Sequence, residues 1–222
     1  MGAAQGVILP AQHLAVLTGK RWTNARVQLT VGFLDAAAPD LSARILSHMN
    51  AWGAFANVQF SLTNGPADVR ITFTTGDGYW SYLGTDIKQI DLDKPTMNLD
   101  SFSMATLDSE FYRVVRHETG HTLGFPHEHT RSEIVNNIDP AKAIAYFKQN
   151  DNWDAATTTA QVLTPLDNSA LLATAHADPN SIMCYWLPAE IMKNGVAVVG
   201  GTDIDAQDAR FAGSVYPLPT SS

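Results

Sequence analysis

The sequence predicts a single domain of the α+β class, with strands and two long helices in its first half and a mostly irregular second half closed by one helix. Three observations carry this. Apolar residues alternate at Val27, Leu29, Val31 and Phe33, and again at Val58, Phe60 and Leu62, the period of a half-buried strand. Leu41, Ile45, Met49, Trp52 and Ala56 recur at helical spacing, so one face of that helix is core. After residue 127 neither period is sustained until a short helical run near the C-terminus. At 222 residues and 45 % apolar content, the chain is one domain, or one domain in two lobes, able to bury a sizeable core.

In order, residues 1–20 form an arm of mixed polarity without a firm period. The first strand covers Val27 to Phe33, and Pro39-Asp40 opens the first helix. His48, beside its apolar stripe, is read as structural. A second strand around Val58 to Leu62 turns at Asn64-Gly65-Pro66 into a third at Val69, Ile71 and Phe73. Residues 76–85, GDGYWSYLGT, form a glycine-rich loop with neither the lysine of a phosphate loop nor dinucleotide spacing. Asp91 and Asp93 are solvated turn residues rather than a calcium site. Residues 96–102, TMNLDSF, read as a short strand, either an ordinary sheet member or an edge able to pair with an extended peptide. A helix follows from between Thr106 and Asp108, with Phe111, Val114, Val115 and Thr122 on its buried side. Asp139-Pro140 caps and starts a later helix carrying Ile144 and Phe147. Residues 151–180 read as loop, and a final helix runs from Thr202-Asp203-Ile204-Asp205 to about Phe211, ending near Gly213.

The chemistry sits in residues 117–127, HETGHTLGFPH. His117 and His121, four apart, share one helix face, with Glu118 beside the first. On a continuing helix His127 would stand roughly 9 Å further along and on another face. Gly124 supplies the reversal that returns it, and Phe125-Pro126 supports the break. Three neutral imidazoles around a point, beside a carboxylate, describe a zinc site with an open position. A bare HExxH also occurs as an ordinary helix turn; the added glycine and third histidine set this motif apart. One zinc ion at His117, His121 and His127 would lower the pKa of a water towards roughly 7, and Glu118 would accept its proton for attack on a peptide carbonyl.

A net charge of −8 argues against a nucleic-acid or anionic-membrane surface. No stretch approaches the roughly 20 apolar residues that span a bilayer. Cys184, the single cysteine, excludes an intrachain disulfide. The first residues lack the charged start and unbroken apolar run of a signal peptide, with Pro10, Gln12 and His13 interrupting it.

Two stretches resemble a known family. HETGHTLGFPHEHTR is similar to the long zinc signature of the metzincins, and more narrowly of the astacin-like peptidases, in which the third histidine is followed by glutamate, here Glu128, with an arginine near Arg131. Ser181-Ile182-Met183-Cys184-Tyr185 resembles the family's Met-turn. GYWSYLG, ADVRITF and TDIDAQDARFAGSVYP are similar to its loop ahead of the zinc helix, its preceding strand and its final helix. The resemblance implies a metzincin (zincin-like) fold: a mixed twisted sheet and two long helices in an upper lobe, 21–127, and a lower lobe, 128–222, with the Met-turn and final helix. It implies that Met183 floors the metal, that Tyr185 is a fifth zinc ligand that can also stabilise the oxyanion, and that 96–102 is an upper-rim strand aligning substrate. It further implies protein or peptide substrates, secretion and a monomer.

The chain departs from the common pattern in its lack of disulfides, in Tyr79 before Trp80 and in Cys184, where cysteine and histidine are common; the first departure fits the bacterial or fungal-type branch. In relatives a new N-terminus pairs with the glutamate matching Glu128, whereas here some twenty residues precede Trp22. Lys193 is a candidate for the pocket beyond the scissile bond, and His129 and His176 receive no role. The expected function is a zinc endopeptidase using Glu118 and Tyr185. The alternatives are a catalytically silent module that keeps the fold and an interaction protein with a structural zinc.

Overall fold

The computed structural model describes residues 17–166 and 176–219. The arm expected over 1–20 thus lies mostly outside the described residues, which begin with a helical turn at Leu17–Lys20.

Five strands form one sheet: β1 Val27–Phe33, β2 Val58–Leu62, β3 Val69–Thr72, β4 Tyr79–Ser81 and β5 Met97–Leu99. Their order is β2-β1-β3-β5-β4, parallel throughout except that β4 pairs antiparallel with β5. The expected mixed sheet is therefore present. The 96–102 segment, however, is no rim. Its strand lies between β3 and β4 with Met97, Asn98 and Leu99 all fully buried, and the edge is β4. The side chain of Asn98 explains why: it donates to Gly78 O at 2.6 Å and accepts from Thr74 N at 2.9 Å, stitching the loop 74–78 onto β5. Gly76 and Gly78, both at positive φ, direct their amides to Asp100 Oδ2 at 2.9 Å, which turns the chain into β4. An edge of three residues inside a glycine-rich stretch shows no alternation to read.

Helix α1, Pro39–Met49, has proline in its first turn and buries Leu41, Ile45 and Met49. Its stripe continues through a 3₁₀ turn, Asn50–Ala54, which carries the buried Trp52. The Asn50 amide accepts from Phe60 N at 2.9 Å and donates to Phe60 O at 3.0 Å, fixing this turn to β2. Helix α2 spans 108–122 as a short α turn Asp108–Glu110, a π-helical turn Phe111–Val115 and an α segment Arg116–Thr122. Phe111, Val114, Val115 and Thr122 are its buried side, as the spacing predicts. Helix α3, Pro140–Asn150, is capped by Asp139, whose carboxylate accepts from Ala141 N and Lys142 N. In the stretch expected to be loop, Ala155–Thr158 is helical and continues as a π turn through Thr159–Leu163. Asp154 caps it by accepting from Thr157 N at 2.7 Å, and its threonines hide the period.

Helix α4, Ala206–Val215, starts with a reciprocal capping box between Asp205 and Asp208. It does not stop at Gly213. That glycine is interior, and a Cβ there would stand 2.9 Å from the Phe55 carbonyl, so its absence of side chain serves close packing rather than termination. Two apolar clusters result. The larger joins the sheet, α1 and α2, and also takes in Ile182, Met183, Ala212 and Tyr216; the smaller gathers Ile138, Val162, Cys184, Leu187 and Ile191. The sequence positions 182–184 thus bridge both.

A β-branched side chain at position 213 has no room against the Phe55 carbonyl. Gly213→Val is expected to cost about 1–3 kcal/mol, read as a fall of roughly 3–10 °C in Tm by calorimetry.

Candidate metal centre

Two imidazoles stand on α2 and one returns to meet them. His117 and His121 lie edge to face, ring centroids 4.7 Å apart. Gly124, at φ +94°, reverses the chain; Gly124 N donates to His121 O at 2.8 Å and Phe125 N to Gly120 O at 2.9 Å. The reversal brings His127 Nε2 to 3.0 Å from His121 Nε2 and 3.3 Å from His117 Nε2. The turn is held from outside. Trp22 Nε1 donates to Thr122 O at 2.9 Å and Tyr216 Oη to Leu123 O at 2.5 Å.

The protons are assigned by the partners. His117 Nδ1 meets Ile182 O at 2.6 Å and His121 Nδ1 meets Phe125 O at 2.7 Å. A carbonyl only accepts, so both Nδ1 atoms carry hydrogen and both Nε2 atoms carry lone pairs. A proton on His127 Nε2 could satisfy one of them. A cation satisfies all three. Burial holds the imidazoles below their ordinary range, His121 at about 4 and His117 and His127 well down, so they are neutral and ready to ligate.

Glu118 is 4 % exposed and its Oε2 has no hydrogen-bond partner among the described residues. Burial pushes its carboxyl up to about 8, opposed by Arg113. Tyr185 lies with its ring centroid 4.2 Å from that of His127 and 6.1 Å from that of His117. Burial and then the Glu118 charge raise its phenol, which stays protonated. Met183 passes beneath α2: a Cβ on Gly120 would lie 2.4 Å from its sulfur, and its carbonyl accepts from Glu128 N at 2.8 Å. Glu128 Oε1 is held by Arg131 at 3.1 Å and by Asp178 N at 3.1 Å.

The family model for the astacin peptidases matches residues 16–185. The chain belongs to the astacin family. Among relatives, zinc metalloproteinase nas-27 of Caenorhabditis elegans is 28 % identical over 115 residues, 49 % of this chain and 25 % of that protein, so the match spans a quarter of the relative's length. Among solved structures, one of myroilysin is 31 % identical with a TM-score of 0.85, covering 92 % of this chain and 98 % of that one. A crystal structure of myroilysin is 30 % identical with a TM-score of 0.68, covering 97 % and 92 %. High choriolytic enzyme 1, a hatching enzyme zinc-protease from the medaka Oryzias latipes, is 19 % identical with a TM-score of 0.58 over 95 % and 98 %, a likeness of fold alone. These neighbours share the α+β metzincin architecture expected from the sequence.

For an astacin the donor set is the right one: three neutral imidazole nitrogens, their ligand atoms within 4.8 Å of one another, suit zinc and leave it an open position. Of the residues singled out in the sequence, His117, His121, His127, Glu118, Met183 and Tyr185 come together here. Cys184 faces the smaller apolar cluster, and burial raises its thiol. Lys193 is held by the Asn136 carbonyl at 2.7 Å. Two contributors escaped sequence reasoning. Asp208, on α4, accepts from Ser181 Oγ at 2.6 Å and Ile182 N at 2.9 Å and so supports the turn beneath the histidines. His129, wholly buried, lies against Tyr185. Asp208 fell inside the expected final helix with nothing to mark it, and no spacing marked His129.

Without metal, titration of this centre leaves a signature. Unfolded imidazoles take up protons below about pH 6.5, but folded His121 and His129 wait until about 4, so stability falls as pH drops through that window. Glu118 and Glu128, raised to about 8 and about 7, act oppositely: their folded forms keep protons that the unfolded chain releases above about 4.5, so stability falls as pH rises from about 4.5 to those folded values and levels off above them. With His117 and His127 also lowered, four histidines outweigh two carboxyls below about pH 6.5 and the carboxyls act alone above it, so thermal melts of chelator-treated protein are expected to peak near about pH 6.5 and fall on either side.

Proposed function

We propose that this chain is a zinc-dependent endopeptidase of protein or peptide substrates, with His117, His121 and His127 as ligands of one zinc ion, Glu118 as general base and acid, and Tyr185 as both fifth ligand and oxyanion donor. One observation carries the reading: three Nε2 atoms converge, two of them fixed as acceptors, beside a buried carboxylate oxygen without a partner among the described residues. Family membership supports the reaction class. A structural zinc is disfavoured because the cluster offers three histidines and no fourth nitrogen or sulfur among the described residues.

Zinc, when bound, supplies Lewis acidity to the attacking water and the scissile carbonyl. The protein does the proton transfer. Glu118 takes a proton from the water as its oxygen bonds to the carbonyl carbon. The Tyr185 hydroxyl, kept protonated by its surroundings, donates to the carbonyl oxygen as negative charge grows there. Glu118 then delivers that proton to the amine nitrogen as the C–N bond breaks. The hydrogen bonds from His117 and His121 to Ile182 O and Phe125 O keep those rings aimed throughout.

We read residues 1–222 as one catalytic domain, with the arm 1–20 ahead of lobes 21–127 and 128–222. The entry of Ile182, Met183, Ala212 and Tyr216 into the upper core supports treating the lobes as one unit. Family membership supports secretion, and no helix among the described residues is long and apolar enough to cross a membrane. The net charge of −8 supports the absence of a nucleic-acid surface. The reading carries a monomer with it.

Glu118→Gln is expected to slow casein cleavage about 10²–10⁴-fold while metal analysis still finds zinc bound. Wild-type speed in that variant would overturn the mechanism. Activity should also vanish with chelator, return with zinc, and decline as pH falls towards about 4, where the folded His121 ligand takes up its proton.

A further inference from the structure

The chemistry just described gives His129 nothing to do, yet its side chain is wholly buried at the edge of the cleft. Its ring lies nearly flat against that of Tyr185, centroids 4.4 Å apart and planes 16° apart. Tyr185 meets His127 at 4.2 Å, and His127 and His129 are themselves 5.0 Å apart, so the three rings form one cluster. Both nitrogens of His129 are engaged. Nε2 lies 3.0 Å from Gln161 O, a pure acceptor, and therefore carries the hydrogen. Nδ1 then has the lone pair, and it accepts the backbone N–H of Tyr185 at 3.4 Å.

One neutral tautomer satisfies both bonds. It leaves no lone pair for a metal and no proton for a substrate, which separates His129 from the three converging histidines. What it does offer is a fixed plane. It is anchored to a carbonyl within the π turn Thr159–Leu163, and it touches Tyr185 twice, at the ring and at the main chain.

We propose that His129 is a positioning residue for Tyr185: its stacked face sets the plane of the phenol beside the metal ligands. The proposal rests on the role given above to Tyr185 in the peptidase reaction. A tyrosine that must approach a metal and then reach a carbonyl oxygen has to swing along one path. A flat, immobile neighbour restricts that swing to the ring's own plane.

The test compares His129→Gln, which keeps a donor and an acceptor but loses the ring, with His129→Phe, which keeps the flat face. His129→Gln is expected to lower kcat about tenfold or more with KM within about twofold, and His129→Phe to stay within about threefold. The His129→Gln/Tyr185→Phe double variant should be no slower than Tyr185→Phe alone, because the effect passes through the phenol. Losses that simply multiply would overturn the proposal. A second readout needs no catalysis. In protein labelled with 3-fluorotyrosine, the Tyr185 fluorine line, assigned by its loss in Tyr185→Phe, is expected to broaden or split in His129→Gln while the other tyrosine lines stay. An unchanged line overturns the proposal. Should the zinc-loaded wild type cleave no peptide, the peptidase reading fails and the fluorine line alone still decides the role of His129. Should His129→Gln not fold, a split Tyr185 line in His129→Phe counts against the stacked face as the positioning element, and a single line supports it.

Discussion

Three imidazole nitrogens, two of them fixed as acceptors, do not share a small volume unless a proton or a cation lies between them. That constraint organises the molecule. His117 and His121 are fixed as acceptors by carbonyls behind them, Ile182 O and Phe125 O, and His127 is delivered by a single left-handed glycine. Much of the remaining structure keeps these atoms from relaxing apart. The last turn of α2 is gripped by Trp22 and Tyr216 from opposite ends of the described chain, and its underside rests on Met183 where Gly120 has no side chain.

The sheet and the histidine-bearing helix are coupled in the same spirit. Ser81 on the edge strand and Thr122 at the end of α2 share a hydroxyl contact at 3.0 Å, while Trp52 Nε1 donates to Arg116 O one residue before the first histidine. Rigid elements thus hold His117 and His121, and the loops 124–131 and 181–186 supply what must approach from below. Arg113 stands one turn before His117 and is paired with Glu110 at 2.6 Å; its charge opposes the burial of Glu118 without neutralising it by contact.

Much of this was legible in the residues. The three histidines and Glu118 were readable because their geometry is local: a helix turn between His117 and His121, and a glycine where the chain must reverse. The core stripe from Leu41 to Ala56 was readable for the same reason, a period sustained over several turns. What stayed hidden was either short or long-range. Strand β4 is three residues in a glycine-rich stretch, too brief for alternation, so the neighbouring 96–102 segment looked like the rim. Gly213 looked like a helix stop because a sequence does not show the Phe55 carbonyl pressed against it. The tie from Asp208 to Ser181 crosses 27 positions, and that of His129 to Tyr185 crosses 56; neither leaves a local pattern.

The bond between Asp208 and the 181–182 turn has a bearing on how the molecule comes into being. The histidines are made well before the support beneath them is complete, because that support depends on a carboxylate from α4. A nascent chain that still lacks this helix therefore holds three rings over an unsupported turn. The support beneath the histidines is thus the last part of the cleft to be synthesised.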